Sequence, residues 1–325
     1  MDENILAFNI ERRISAILDK TGMYYRIFSR QKSKDSIKKK LNEKKDVYAE
    51  DGKKMQDFVG VRVVFYFKDD IEAFLNILRS LESYDTSNES NSILELARIE
   101  EEINNLGINE LKNLLPLTDK IFMPERLNLV MKMDEYETSL FNSLMEVQTI
   151  YNGKLIDNTY EIQLRTVLSE GWHEVEHDLR YKTRKENWWN KCQAESRLLN
   201  GIYAALISNE SQLSKLVDDI AHKAYHNHEW DTMIRFHFRR RTKETKLSED
   251  IAKVLDRNIE NIAKMIYKFD RNNVVGILNK ISVKIDITTD LLTFIVNRSA
   301  ISNPELLQLE SNPIKKILDK VFSNV

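Results

Sequence analysis

The spacing of apolar residues changes several times along the chain and predicts both helices and strands. Residues 4–20 carry apolar side chains at near-helical spacing, which predicts an N-terminal helix. Segments rich in β-branched and aromatic residues predict strands. They are MYYRIFSR at 23–30, FVGVRVVFYF at 58–67, RLNLVMKM at 126–133, SLMEVQTIY at 143–151 and TYEIQLRT at 159–166.

Helical segments lie between these strands and dominate the second half of the chain. SKDSIKKKLNEK at 33–44 begins with Ser33 as a candidate N-cap, and DDIEAFLNILRSL at 69–81 begins with two carboxylates, which suit a helix N-terminus. Strands that alternate with helices predict a mixed α+β sheet domain. Beyond about residue 190 the pattern is helical nearly to the end. We therefore expect a sheet domain at 1–190 and an all-helical domain of unknown role at 191–325.

Composition narrows the class of protein further. Only eight Gly and four Pro interrupt 325 residues, which favours long helices over a many-turned β-sandwich. The single cysteine, Cys192, excludes an internal disulfide. No apolar run approaches the ~18 residues of a membrane span, and the start of the sequence shows no secretory signal. We expect a cytoplasmic protein without a membrane segment.

Three groups of polar residues lie near the ends of the predicted strands. They are Arg30, Lys32, Ser36 and Lys40, then Asp57, Gly60 and Arg62, and finally Glu161, Gln163 and Arg165. Each group alone is typical of an ordinary solvent-facing surface, because charged residues are mostly exposed. On one sheet face, cations and two carboxylates suit a nucleoside triphosphate with magnesium, since Arg and Lys neutralise phosphates and carboxylates bind hard cations.

These motifs resemble those of the RelA/SpoT family of alarmone synthetases, especially its small single-function and toxin-like members. RQKSKDSIKKK at 30–40, DFVGVR at 57–62 and EIQLRT at 161–166 match three family motifs, and WHEVEHDLRYK at 172–182 matches the following helix. The match covers roughly residues 23–185. The resemblance implies a mixed β-sheet synthetase domain, related to nucleotidyltransferases and flanked by helices.

The resemblance also implies an activity and the residues that perform it. Family members move the β,γ-pyrophosphate of ATP to the 3′-hydroxyl of GDP or GTP, or in toxin members to the 3′ end of tRNA, and release AMP. Arg30 would contact the adenine, and Lys32 and Lys40 the phosphates. Asp57 and Glu161 would hold Mg²⁺, with Glu161 also helping to deprotonate the hydroxyl. The remaining implied nucleotide-site residues are Ser36, Arg62, Gln163, Arg165, His177 and Lys182.

One family motif is altered in this sequence. The acceptor segment of the family reads Gly-Tyr-x-Ser-Leu-His, and the best register here is YETSLF at 136–141, taken as a strand. Glu137 then occupies the place of the guanine-stacking Tyr, and Phe141 the place of the His. This departure predicts an acceptor other than a guanosine nucleotide, or a non-catalytic module that binds RNA or a protein partner.

A second alternative is a zinc protease, which the segment HEVEH at 173–177 suggests. His173 and His177 stand at i and i+4 on a predicted helix, with Glu174 as general base and Glu195 at the distance of a third ligand. The same helix, however, directly follows the phosphate-type strand, and its buried stripe of Leu168, Trp172, Val175 and Leu179 explains most of its pattern. The synthetase is therefore favoured.

The C-terminal half contains a basic and aromatic cluster, IRFHFRRRTKETK at 234–246. Arg235, Arg239, Arg240, Arg241 and Lys243 beside two phenylalanines predict either an RNA contact or a solvated helix end. His222, His226 and His228 show no convincing ligand set, and we assign no metal there. The apolar segment 272–296 is typical of helical packing or self-association, so a homo-oligomer is one expectation.

Overall fold

The computed structural model describes residues 4–84, 90–91, 127–147, 153–176 and 192–323. The chain divides into two compact units. The first comprises residues 1–15, 25–71 and 78–210, and the second comprises 16–24, 72–77 and 211–325. The boundary near residue 190 stays a prediction.

A five-stranded mixed sheet lies in the first unit. Its strands are β1 (Tyr25–Gln31), β2 (Val59–Phe65), β3 (Ser90–Asn91), β4 (Leu127–Lys132) and β5 (Thr159–Thr166). Their spatial order is β1-β2-β5-β4-β3. The β2–β5 pair is parallel, whereas β1–β2, β4–β5 and β3–β4 are antiparallel. The predicted α+β class is confirmed.

Several helices accompany this sheet in the sequence. They are α1 (Ile5–Thr21), α2 (Lys34–Glu43), α3 (Lys68–Arg79), α4 (Glu135–Val147), α5 (Val167–Glu176) and α6 (Gln193–His226), with a 3₁₀ turn at Gly153–Leu155. Ser33 caps α2 as predicted, because its side-chain oxygen accepts a hydrogen bond from the Ser36 amide at 3.3 Å. Helices α1, α3 and α6 contain residues of both units.

The sequence prediction of a strand at 143–151 is wrong for the residues that the structure describes there. Residues 143–147 are the last part of α4, which also contains the whole YETSLF segment. Reciprocal bonds cap this helix: Glu137 N donates to Asp134 Oδ1 at 2.8 Å, and Asp134 N donates to Glu137 Oε2 at 3.0 Å. Phe141 and Leu144 are buried at helical spacing. Capping and helical burial together override the local strand propensity.

Alternation along the strands gives the sheet one apolar and one polar face. Rows of paired residues cross β2, β5 and β4 on the apolar face. They are Val59–Tyr160–Met131, Val61–Ile162–Leu129 and Val63–Leu164–Leu127, all buried. Because side chains alternate with a period of two, the residues between them point to the other face. That polar face carries the predicted site residues.

The second unit is helical throughout the residues described beyond α6. It contains α7 (Trp230–Phe238), α8 (Glu249–Arg257), α9 (Lys264–Lys268), α10 (Arg271–Lys280), α11 (Thr289–Val296), α12 (Pro304–Leu309) and α13 (Asn312–Phe322), with π-helical turns at Ile259–Ala263 and Asn297–Ile301. Met233, Phe238, Leu278, Leu292 and Ile295 are fully buried in its core. None of the helices in the described ranges is long and apolar enough to cross a membrane.

Candidate functional site

Two rows of residues cross the polar face of the sheet and define a cavity. One row is Phe28, Arg62, Gln163 and Asn128, and the other is Arg30, Gly60, Glu161 and Val130. All of them except Val130 line a cavity of about 720 Å³. Lys32, Asp57 and Arg165 complete the predicted residues on its wall. Motifs far apart in sequence therefore meet at one place.

At one end of the cavity two lysines share a single carboxylate oxygen. Lys32 Nζ and Lys40 Nζ both donate to Asp57 Oδ2, the latter at 2.6 Å. The two ammonium groups and one carboxylate leave a net positive charge. Burial, partly offset by Asp57, lowers the pKa of Lys32, whereas the hydrogen bond and charge of Asp57 outweigh burial and raise the pKa of Lys40. This end is suited to an anion.

The two predicted metal ligands, Asp57 and Glu161, interact with each other. Burial and then the negative charge of Asp57 raise the pKa of Glu161. Burial is the largest influence on Asp57 also, but the two lysines outweigh it and hold the pKa of Asp57 below its usual value. The buried Asp57 Oδ1 has no hydrogen-bond partner among the described residues. An unsatisfied carboxylate oxygen beside a second carboxylate fits a cation site.

Gly60 lies between Arg30 and Glu161 in its row across the sheet. A Cβ at this position would meet no atom within 4 Å, so neighbouring side chains do not require a glycine here. A glycine inside a strand often marks a place where a ligand approaches the backbone closely. The missing side chain keeps the floor of the cavity open.

On the other side of the cavity, two arginines are held by acidic residues of α5. Arg62 Nη1 contacts Glu170 Oε1 and donates to Glu174 Oε1 at 2.7 Å. Arg165 Nη1 donates to Glu170 Oε2 at 2.7 Å. Both arginines also donate to Gln163 Oε1 at 3.2 Å, and Gln163 Nε2 donates to Glu161 Oε2 at 3.3 Å. This network orients Glu161 from the side opposite to the lysines.

Two described site residues, Ser36 and Lys40, do not line the cavity, although Lys40 pairs with Asp57 on its wall. Ser36 is exposed, and its hydroxyl accepts a hydrogen bond from Ser33 Oγ at 2.8 Å. His177 and Lys182 lie outside the described residues. Their roles stay predictions.

The cavity also contains residues that the sequence reading missed. Phe28, Asn128, Glu170, His173 and Glu174 all line it. Phe28 and Asn128 could have been found from strand alternation, because each lies in the same register row as Arg62. His173 was considered only as a zinc ligand, yet it is buried at the cavity wall.

The assignment of Glu137 and Phe141 to the acceptor motif is wrong, because both belong to a packed helix. Glu137 is buried and accepts two hydrogen bonds from Arg13, each 2.8 Å long. Arg13 Nη2 also donates to the hydroxyl of Tyr160 at 2.8 Å. Phe141 packs edge-on against Phe58. Glu137 is therefore a structural ion-pair partner and carries no information about the acceptor.

The predicted RNA-binding cluster is only partly exposed, and its RNA contact stays a prediction. Arg239 and Arg240 are buried. Arg239 donates to Ser214 and Asp218, and Arg240 Nε donates to the Phe238 carbonyl. Arg241 and Lys243 form ion pairs with Asp19 and Asp286, respectively. The two central arginines are buried where the chain packs after α7. The order of charges along the sequence does not show this burial.

The residues of the zinc-protease alternative serve other contacts. Glu174, its proposed general base, is an ion-pair partner of Arg62. Within the described ranges, no group of three or more His, Cys, Asp and Glu side chains is arranged to hold a metal ion. His177 lies outside these ranges.

Cations and carboxylates converge on one face of a mixed sheet, an arrangement that suits a ligand with phosphate groups. Residues 29–186 match the model of the region found in RelA / SpoT proteins. This segment of the chain therefore belongs to the RelA/SpoT family, as the motifs predicted. The family supports ATP pyrophosphotransfer of the (p)ppGpp synthetase type, which uses a divalent metal.

Solved structures also resemble this chain. Small alarmone synthetase 1 from Bacillus subtilis is 19% identical, with 65% of this chain and 89% of that chain covered and a TM-score of 0.42. The same protein bound to its product pppGpp is 17% identical, with 67% and 96% covered and a TM-score of 0.42. A GTP pyrophosphokinase family protein from Streptococcus pneumoniae is 19% identical, with 66% and 88% covered and a TM-score of 0.42. No curated protein sequence matches significantly.

Proposed function

We propose that this chain transfers the β,γ-pyrophosphate of ATP to the 3′-hydroxyl of a ribose-bearing acceptor, which is GDP, GTP or the 3′ end of tRNA, and releases AMP. One observation carries the proposal. Residues of three separate motifs line the same 720 Å³ cavity, which includes Lys32 and Glu161, and Lys40 pairs with Asp57 on its wall. Transfer of phosphate groups depends mostly on positioning and charge neutralisation, and this cavity supplies both.

The lysine end of the cavity is the binding site for the donor phosphates in this proposal. Lys32 and Lys40 share Asp57 Oδ2, so phosphate oxygens gain contacts with ammonium groups that already converge. Arg30 lies on the edge strand at the same end and is exposed on the cavity face, where a planar guanidinium suits stacking on adenine. ATP would therefore lie across the β1 side of the sheet.

Asp57 and Glu161 would hold Mg²⁺. Two carboxylates are sufficient, because Mg²⁺ usually completes its coordination with water and substrate phosphates. The fit rests on the unsatisfied Asp57 Oδ1 and on the raised pKa of Glu161, since both report negative charge that a cation would neutralise. The metal, when bound, neutralises charge on the transferred group.

Glu161 accepts the proton of the attacking hydroxyl in this mechanism. The acceptor O3′ forms a bond to the β-phosphorus of ATP, the bond from that phosphorus to the oxygen bridging the α-phosphate breaks, and AMP leaves with that oxygen. The proton passes to the Glu161 carboxylate. A carboxylate is a general base of suitable strength for this proton transfer. Gln163 and the two arginines beside it hold the carboxylate in place.

The acceptor is open between guanosine nucleotides and tRNA. The sequence argued against guanosine because Glu137 replaced a stacking tyrosine, but Glu137 is a buried partner of Arg13. The altered segment therefore gives no reason to exclude a guanosine nucleotide as the acceptor.

A transfer assay tests the proposal. The protein is incubated with γ-labelled ATP, Mg²⁺ and, separately, GDP, GTP, adenosine nucleotides and tRNA. We expect label on one of these acceptors and an equal amount of AMP, because both terminal phosphates move together. Label in free phosphate or a product of single phosphate transfer, with ADP as the other product, would contradict the proposal, as would no transfer to any acceptor. The exposed Glu50→Gln variant serves as a control for Glu161→Gln.

A further inference from the structure

Asn128 is a polar residue in an otherwise apolar part of β4. It lies on the cavity face of LNLVMK, directly opposite Gln163 on β5. Its Oδ1 atom is buried and makes no hydrogen bond within the described parts of the chain. A buried acceptor without a partner is uncommon in native proteins and calls for an explanation. Asn128 itself lines the cavity that a substrate would fill, so a small change of its side-chain rotamer brings this oxygen to a ligand.

The neighbouring side chains do not satisfy this oxygen because they are engaged elsewhere. The Gln163 amide accepts from Arg62 and Arg165 and donates to Glu161. Each of these bonds directs the amide along β5 and toward β2. Asn128 remains at the opposite side of Glu161 from the lysines. The missing donor must therefore come from a ligand on the β4 side of the cavity.

We propose that Asn128 Oδ1 accepts a hydrogen bond from the 2′-hydroxyl of the acceptor ribose, so that the enzyme selects ribose over 2′-deoxyribose. This inference rests on the proposed function. Val130 is the residue opposite Glu161, so Asn128 and Glu161 are diagonal neighbours on adjacent strands and point to the same face. Diagonal Cα atoms are roughly 7–8 Å apart, a span that long side chains and a small ligand group bridge.

A ribose matches this pair of groups because its two hydroxyls stand on adjacent carbons. With the 3′-hydroxyl at Glu161, the 2′-hydroxyl is directed to one side, and Asn128 offers an acceptor on the β4 side. The donor ribose is excluded, since the proposed ATP site lies toward β1, and two strands, β2 and β5, separate β1 from β4. The assignment applies equally to a nucleotide and to the terminal adenosine of tRNA.

The melting temperature of Asn128 variants distinguishes a ligand-binding role from a purely structural one. Because Oδ1 has no partner among the residues that the structure describes, replacing the side chain by leucine, which has a similar shape, removes no described bond to that oxygen. The melting temperature of Asn128→Leu should therefore equal or exceed that of the parent. A structural asparagine would instead lower it.

The test compares kcat/KM for an acceptor and its 2′-deoxy analogue. The probes are GDP and 2′-deoxy-GDP, GTP and 2′-deoxy-GTP, and tRNA ending in adenosine or 2′-deoxyadenosine. We expect the parent to prefer the ribose form by about tenfold or more, since a site loses this much when a buried polar group is left unpaired. Asn128→Leu should remove the preference without changing the KM for ATP.

Two further variants make the result specific to the oxygen. Asn128→Asp keeps an acceptor oxygen and should keep the ribose preference, because its added charge affects both members of each pair alike. Asn158→Leu, at an exposed position before β5, should behave as the parent. Equal use of both sugars by the parent, or an unchanged preference in Asn128→Leu, would overturn the inference and leave the proposed function intact. Absence of transfer to every acceptor would overturn both.

Discussion

Two basic regions of this protein look alike in sequence and differ in what their charges contact. At the cavity, Lys32 and Lys40 share one oxygen of Asp57 while its other oxygen has no partner among the described residues. In the C-terminal segment, Arg239 is almost fully buried and donates to Ser214 and Asp218, and Lys243 pairs with Asp286 at the surface. The first region lies at an open cavity, whereas Arg239 and Lys243 of the second region contact groups of the protein itself.

The difference shows that cation density along a chain is a weak indicator of ligand binding. Arg239 has a φ of 54°, a left-handed backbone conformation that is uncommon for residues other than glycine. Its buried hydrogen bonds hold that conformation, so its charge serves the fold. The lysines of the cavity stand instead beside an open space, and their charge is available to a ligand.

The largest effect should come from Glu161→Gln, which removes the proposed base and one metal ligand. We expect the transfer rate to fall on the order of a hundredfold or more, taking general acid–base catalysis alone. Because the folded state raises the pKa of Glu161, it binds more protons than the unfolded state in the window above the ordinary glutamate pKa. Stability is therefore lost as pH rises through that window.

It follows that Glu161→Gln without metal should melt no lower than the parent at neutral pH. Differential scanning calorimetry and the transfer assay together check both statements. A folded variant that keeps activity within a few-fold of the parent, or one that melts clearly lower, would contradict the role given to this carboxylate.

The next effect concerns ATP binding by the lysine pair. Lys32→Ala combined with Lys40→Ala should weaken ATP affinity about tenfold or more, because charge-assisted bonds to phosphate are lost. Isothermal titration with Mg²⁺ and a non-hydrolysable ATP analogue measures it. Lys38 and Lys39 are exposed on the same helix and provide a matched control when both are changed to alanine. Equal affinity in the two double variants would refute the donor site.

In the C-terminal region the expected loss is one of stability. Arg239→Ala removes hydrogen bonds to Ser214 and to the carboxylate of Asp218. We expect unfolding to become easier by about 1–3 kcal/mol, the range for buried bonds that involve charged groups, discounted because Asp218 is half exposed. Chemical denaturation measures the change, and transfer activity at low temperature should be retained. A variant as stable as the parent would contradict the structural role.

The sequence predicted the structural features that depend on neighbouring residues and missed those that depend on residues far away in the chain. The strands β1, β2, β4 and β5 and the Ser33 cap follow from local periodicity, and the convergence of the donor motifs follows from strand alternation. Helix α4 was missed because a capping bond at Asp134 and the pairing of the buried Glu137 with Arg13 stabilise it. Arg13 lies 124 residues from Glu137, and no local pattern shows such a contact.

A smaller effect on stability is expected for Asp57. Its contribution should depend on pH in the opposite sense to that of Glu161. The folded state holds the pKa of Asp57 below its usual value through Lys32 and Lys40. Its contribution to stability is therefore present above the unfolded pKa and is lost as pH falls through the folded pKa. Asp57→Asn should lower the free energy of unfolding at neutral pH and change it less at acidic pH, as denaturation at several pH values would show. A constant difference at every pH would contradict this account.

The smallest effect is expected for Lys243→Ala, the change that tests the predicted RNA surface most directly. Lys243 and Asp286 are both mostly exposed, and such surface pairs contribute little to stability. Melting and transfer activity should match those of the parent. An RNA-binding lysine that contacts phosphate would behave differently, because its loss weakens binding and reduces the dependence of affinity on salt concentration. Fluorescence anisotropy with labelled tRNA over a series of salt concentrations measures both quantities. We expect equal affinity and equal slope, whereas a weaker and less salt-dependent complex would restore the C-terminal segment as an RNA contact.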